Sequence, residues 1–194
     1  TLSYLSGLKD SSMREYLVTL LLAAALCYVV TPLVRTWAIK FGAVAHIRTR
    51  DVHTTPTPRW GGLAMWIAMA LTFAMVSQLS LVGKSFGRET LGIFLAATLL
   101  VFIGLIDDRF ELDALTKLAG QALAAGILLL HGIQVLWLPI NGVITLPPSI
   151  GQLVTVLIVL VTINAVNFID GLDGLAAGIV AISGAAFFAF AYLL

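Results

Sequence analysis

Residues 150–169 read IGQLVTVLIVLVTINAVNFI and residues 174–194 read GLAAGIVAISGAAFFAFAYLL, two runs without a charged side chain on either side of DGLD at 170–173. An apolar helix of roughly 20 residues crosses the roughly 30 Å hydrocarbon core of a bilayer. The two runs are therefore consecutive transmembrane helices joined by an acidic turn. Working outward, the same reading places further crossings at 16–34, 61–82, 91–106 and 115–135 and gives an all-α polytopic membrane protein with six transmembrane helices. The span at 91–106 is short, so it takes in part of the polar segment beyond it or is shielded by neighbours. Composition agrees: 60% of the 194 residues are hydrophobic and 11% charged, against roughly 45–50% and 25% in soluble domains. A cytosolic globular domain is excluded. A formal charge of +1 gives no argument for a nucleic-acid partner, and the single cysteine, Cys27, permits neither an internal disulfide nor a cysteine-based zinc site.

The first run is read as a retained helix and not a signal peptide, because Leu26 is too bulky beside Cys27 for a lipoprotein cleavage box. Met13-Arg14-Glu15-Tyr16 reads as a natural start, which makes 1–15 an N-terminal segment, partly foreign to the native protein, and 16–194 the membrane domain. Six crossings place both ends, 83–90 and 136–149 on one side, and 35–60, 107–114 and 170–173 on the other. The second side holds Arg35, Lys40, Arg48, Arg50, Arg59, Arg109 and Lys117, against Lys9, Arg14, Lys84 and Arg88 on the first. Basic residues mark the cytoplasm. That side also holds Asp51, Asp107, Asp108, Glu111, Asp113, Asp170 and Asp173, seven of the ten acids. Acidic residues do little to set orientation, so their concentration there needs another cause. On the opposite side Leu136 to Pro148 carries no charge, and Ile140-Asn141-Gly142-Val143 suggests a hairpin turn. No internal repeat of a two-half transporter is visible.

Three polar connections on the basic side carry candidate chemistry. In the first, Pro56-Thr57-Pro58-Arg59-Trp60-Gly61-Gly62 enters the second helix, where open backbone amides can receive an anion. The competing reading is a basic anchor at the lipid headgroups with Trp60 in the interfacial belt. The second is Asp107-Asp108-Arg109-Phe110-Glu111-Leu112-Asp113. Adjacent carboxylates repel and resist dehydration, so they persist where a divalent cation, a basic substrate group or a catalytic proton needs them. The alternative is a solvated loop in which Arg109 and Lys117 balance the acids. Lys117 reads either as a phosphate contact or as a snorkelling anchor. In the third, Asn164-Ala165-Val166-Asn167-Phe168-Ile169-Asp170-Gly171-Leu172-Asp173-Gly174, a helix continuing to Asp170 puts Asn167 and Asp170 on one face. The alternative is structural, with Asn164 and Asn167 bonding between helices and the aspartates capping the next one.

Together and in this order, the three motifs resemble the polyprenyl-phosphate N-acetylhexosamine-1-phosphate transferase family over most of the chain from about Met13. Within it the likeness is greatest to the bacterial, particularly actinobacterial, branch that moves GlcNAc-1-phosphate from UDP-GlcNAc to undecaprenyl or decaprenyl phosphate. The phospho-MurNAc-pentapeptide branch typically carries Thr-Pro-Thr-Met-Gly-Gly in its first loop, whereas Pro58-Arg59-Trp60 intervenes here. The resemblance implies that Asp107 and Asp108 are catalytic, Asp107 helping to activate the lipid phosphate and Asp108 supporting it or the cation. It implies phosphate contact by Lys117, magnesium (or manganese) held by Asn167 and Asp108, pyrophosphate held by Asn167, a nucleotide-sugar pocket lined by Asp170 and Asp173, and first-loop roles for Arg59 and His53. Its partners would be UDP-GlcNAc, a polyprenyl phosphate and the bilayer, with no nucleic acid; a homodimer is allowed. The site would face the cytoplasm from the inner (plasma) membrane. The products would be polyprenyl-diphosphate-GlcNAc and UMP, at the start of cell-envelope polysaccharide synthesis.

The chain departs from that family in one respect. Members have about ten spans, each of roughly 20 residues, and their later cytoplasmic loops add a magnesium-binding aspartate and a His-rich motif. Neither follows Asp173, and His131 is isolated on the charge-poor side. The chain is therefore expected to be the N-terminal part of a ten-helix enzyme, inactive by itself. An ion-coupled transporter is the rival from another class; it calls for polar groups near mid-membrane, whereas these acids cluster at span ends.

Overall fold

The computed structural model describes residues 2–44, 57–79, 83–139, 142–170 and 174–193. They form six α-helices: α1 (Leu2–Lys40), α2 (Gly61–Val76), α3 (Arg88–Phe110), α4 (Ala114–Leu130), α5 (Pro148–Ile169) and α6 (Leu175–Leu193). A short antiparallel ribbon pairs β1 (Trp137–Leu138) with β2 (Ile144–Thr145). It brackets the expected hairpin turn, of which Ile140 and Asn141 lie outside the described residues. Among the described residues four helical stretches are long and apolar enough to cross a membrane: Met13–Lys40, Arg88–Phe110, Pro148–Ile169 and Leu175–Tyr192. The helices α2 and α4, of 16 and 17 residues, are apolar but shorter. At 1.5 Å per residue they reach about 24–26 Å, a mismatch that a bilayer absorbs by local thinning or by snorkelling of flanking residues. The chain is an all-α polytopic membrane protein.

The helix ends differ from the sequence expectation in instructive ways. The short third span does take in the polar segment beyond it, since α3 continues through Asp107, Asp108 and Arg109 to Phe110. Conversely, the second and fourth helices are shorter than expected. The helix α2 stops at Val76, where the Ser77 hydroxyl turns back to the Ala74 carbonyl at 2.7 Å. In α4 the stop is Gly132, whose positive φ of 90° lets the Ile133 N–H reach the Leu128 carbonyl at 3.0 Å, a hydrogen-bonded closure that favours glycine.

The chain divides into two compact units, residues 1–133 and 134–194. In the first, α1 packs on α2, α2 on α3, and α3 on α4. The buried set is rich in alanine: Ala38, Ala64, Ala68, Ala96, Ala124 and Ala125, with Val34 the largest wholly buried side chain. Small residues at helix contacts are what packing without a water-driven hydrophobic effect requires, because attraction must come from close van der Waals approach. Between α2 and α3 aromatic rings add to this: Phe73 stacks on Phe86 at 4.2 Å, and the Trp66 indole N–H donates to the Thr98 hydroxyl at 3.1 Å. In the second unit α5 contacts α6. There the buried Thr155 hydroxyl accepts from the Val135 N–H at 2.8 Å and donates to the Gly151 carbonyl at 2.6 Å, tying the ribbon's entry to α5. A side chain at Gly151 would strike the Val135 carbonyl.

Candidate active site

The carboxylates of Asp107 and Asp108 sit in the last turn of α3, not in a loop. The carbonyl end of a helix is negative, so acids there are disfavoured unless positive charge is brought to them. Two cations supply it. Lys117, from the first turns of α4, places Nζ 2.8 Å from Asp107 Oδ1. Half-buried Arg59, at the entry to α2, lies close enough to Asp108 to be the strongest charge acting on it, ahead of Asp107 and Lys117. The first and second polar connections therefore meet at one end of the four-helix unit.

The hairpin between α3 and α4 fixes this arrangement with three residues. Glu111 takes a left-handed conformation at φ 49°, and its N–H donates to the Asp107 carbonyl at 2.8 Å. The Leu112 N–H then donates to Asp107 Oδ1 at 3.0 Å, so that oxygen receives both a backbone donor and the lysine. Asp113 caps α4, its carboxylate accepting from the Leu115 and Thr116 amides at 3.1 and 3.0 Å and from the Thr116 hydroxyl at 2.5 Å. The hydroxyl bond first, and the Thr116 and Leu115 amides after it, hold the Asp113 carboxyl below the ordinary carboxylate range. Arg109 lies over the Phe110 ring at 5.6 Å.

These contacts sort the acids. Asp107 and Asp113 build the hairpin, whereas half-buried Asp108 makes no hydrogen bond or ion pair with a described residue. The sequence left Lys117 as a phosphate contact, a snorkelling anchor or a cation balancing the acids; the structure places it beside Asp107, in the last of these positions. The N-capping role of Asp113 does carry a sequence signal, an aspartate directly before an apolar helical run.

In the second unit α5 is helical to Ile169, and the Asp170 N–H still donates to the Val166 carbonyl at 3.1 Å. Asn167 and Asp170 thus keep the expected three-residue relation and are both exposed. Asn164 bonds to its own helix, its side-chain amide donating to the Leu160 carbonyl at 2.8 Å. Gly174 has a positive φ of 76° at the entry to α6. His53 and Asp173 lie outside the described residues. Among the described residues no group of three or more His, Cys, Asp or Glu side chains gathers around one point.

The profile described as glycosyl transferase family 4 matches residues 90–194, from α3 onward. Among curated proteins the chain is similar to the decaprenyl-phosphate N-acetylglucosaminephosphotransferase of Mycolicibacterium smegmatis, 48% identical over 138 residues, covering 69% of this chain and 34% of that protein. The protein of the same name from Mycobacterium tuberculosis is 44% identical over the same shares. A Bacillus subtilis protein, named a probable undecaprenyl-phosphate N-acetylglucosaminyl 1-phosphate transferase, is 31% identical over 64% of this chain and 33% of its own length. The chain spans about a third of the length of the relatives it matches. No solved structure matches it.

Proposed function

Because the chain belongs to glycosyl transferase family 4, we propose that it forms part of an enzyme transferring GlcNAc-1-phosphate from UDP-GlcNAc to a polyprenyl phosphate, with release of UMP, at the cytoplasmic face of the plasma membrane. The observation that carries this reading is the end of the α3–α4 hairpin. Two carboxylates stand there against the negative end of a helix, opposed by Arg59 and Lys117, and one of them, Asp108, is not spent on the fold. The names of the mycobacterial relatives support the substrate class.

A lipid phosphate oxygen attacks the β-phosphorus of UDP-GlcNAc, a new P–O bond forms to the lipid, and the bond to the UMP oxygen breaks. At neutral pH the lipid phosphate is already largely ionised, so alignment and charge screening contribute more than proton removal. Arg59 and Lys117 are the side chains suited to draw phosphate oxygens toward the acids. To do so Lys117 exchanges Asp107 Oδ1 for a phosphate oxygen, while the Leu112 N–H continues to hold Asp107.

Hard oxygen donors suit magnesium, which keeps several waters and needs only one or two carboxylates beside substrate phosphates. Asp108, half-buried and making no ion pair with a described residue, would supply one such carboxylate, and manganese would be held by the same kind of oxygen. When bound, the ion neutralises charge that otherwise sets the two phosphorylated reactants against each other. The test is incubation of membranes containing the complete protein with radiolabelled UDP-GlcNAc and polyprenyl phosphate. UMP release that needs both the lipid phosphate and magnesium is the expected result; nucleotide sugar left unchanged rejects the reading.

A further inference from the structure

Two cavities follow one another along the seam between α1 and α2. Their linings adjoin at Cys27 and Thr31 on α1 and at Ala64 and Met65 on α2. The smaller, about 150 Å³, is at the Arg59 end and is bordered by Arg35, Pro58, Trp60 and Gly61. The larger, about 410 Å³, runs past Ala23, Cys27, Met69 and Phe73. The second is almost wholly apolar: the hydroxyls of Thr19 and Thr72 on its wall both donate to carbonyls of their own helices, at 2.7 Å each.

The first cavity is also lined mainly by apolar surface, but Arg35 stands at its border. The Trp60 indole N–H is closed off from solvent and has no hydrogen-bond partner among the described residues, which is costly for a donor of that strength. Exposed Arg35 makes no ion pair with a described residue. The helix α2 begins beside it at Gly61 with no side-chain cap; its Gly61 and Leu63 N–H groups donate to the Arg59 and Trp60 carbonyls at 2.9 and 3.1 Å, and no described residue would meet a side chain at Gly62. An exposed guanidinium beside the positive end of a helix favours an anion. The groove that leads away from them favours hydrocarbon.

We propose that this seam is a binding site for an anionic membrane phospholipid, with its phosphodiester at Arg35 and an acyl chain along the groove past Cys27. The groove and its arginine are independent of the transferase reading; the distinction of this lipid from the phosphorylated acceptor rests on that reading. A diester carries one negative charge, which a single arginine balances, whereas a terminal monophosphate carries about −1.5 to −2. The arginine set against the acids, Arg59, does not border this cavity. Phospholipid and phosphorylated acceptor thus have separate cations.

Native mass spectrometry of the complete detergent-solubilised protein tests this, using phosphatidylglycerol and phosphatidylcholine of identical acyl chains, polyprenyl phosphate and inorganic phosphate. We expect one phosphatidylglycerol retained at a concentration about tenfold below that needed for phosphatidylcholine. Arg35→Gln should erase that preference and Arg35→Lys should keep most of it. Ala23→Phe, which fills the groove, should weaken both phospholipids about tenfold, with helicity by circular dichroism unchanged in all three variants. Inorganic phosphate should fail to displace the lipid. Equal retention of the two phospholipids by the unaltered protein, an intact preference in Arg35→Gln, or displacement by equimolar polyprenyl phosphate would each overturn the assignment.

Discussion

The two ends of the α3–α4 hairpin hold the same pair of helices together by different means. At one end Arg88 donates to the Leu130 carbonyl at 2.6 Å, and Gly92 lets the His131 side chain close on α3, while the His131 ring bonds the Ile127 carbonyl at 2.8 Å. At the other, Lys117 and the Leu112 amide hold Asp107, and Asp113 caps α4. The first end uses its polar groups on helix–helix closure. The second achieves the same closure and retains Asp108, half-buried beside Arg59. A surplus charge at a costly place is better evidence for chemistry than the number of acids, because hairpin architecture accounts for Asp107 and Asp113.

If that contrast is right, substitutions at the two ends separate activity from stability. The largest effect belongs to Asp108→Asn. Loss of one preorganised electrostatic contact typically costs about 10²–10³ in rate, so UMP release should fall by that order with the melting temperature unmoved. Lys117→Met should lower release by about 10² and also destabilise, since it leaves Asp107 facing the helix terminus without its cation. A double-mutant cycle with Asp107→Asn should return a stability coupling of about 0.5–1 kcal/mol, small because both side chains are partly exposed to solvent screening. At the far end Gly92→Val drives a side chain into His131 and should cost about 1–3 kcal/mol in thermal unfolding, with the rate per folded molecule unchanged. Equal loss of activity at both ends would erase the distinction.

The smallest effect is at the α4 cap. Asp113→Ala should speed amide exchange at Leu115 and Thr116 without loss of turnover. Because hydrogen bonding holds the folded carboxyl below its unfolded value, the cap's contribution is present in full above the ordinary carboxylate range and fades as pH falls through the depressed value. Exchange at those two amides should therefore accelerate in acid in the unaltered protein and not in the variant, after correction for intrinsic rates.

Much of this was legible in the sequence. Uncharged runs of bilayer length identify the helices, and the shortness of the run ending at Ile106 foretells that α3 absorbs Asp107 and Asp108. Helix stops were read less well: hydropathy continues past Leu130, but Gly132 ends α4 through backbone geometry that an apolar count does not weigh. The pairing of Lys117 with Asp107 depends on the left-handed Glu111, which folds α4 back at that point. The sequence offers Lys117 as a cation balancing the acids but not the particular carboxylate it meets. Arg59 reaches Asp108 only because α2 packs on both α1 and α3, a tertiary fact beyond local pattern. The same holds for the buried Trp60 N–H, which in sequence looks like any interfacial tryptophan.

The proposed function requires that the α3–α4 turn and the end of α5 each face the cytoplasm, the side that their basic and polar residues mark in the sequence. Single cysteines at Phe110 and Gly174, placed in a Cys27→Ser background, measure this through labelling by an impermeant maleimide in intact cells and in inverted vesicles. Both should react in inverted vesicles only. Labelling of the two positions from opposite sides of the membrane would contradict the account.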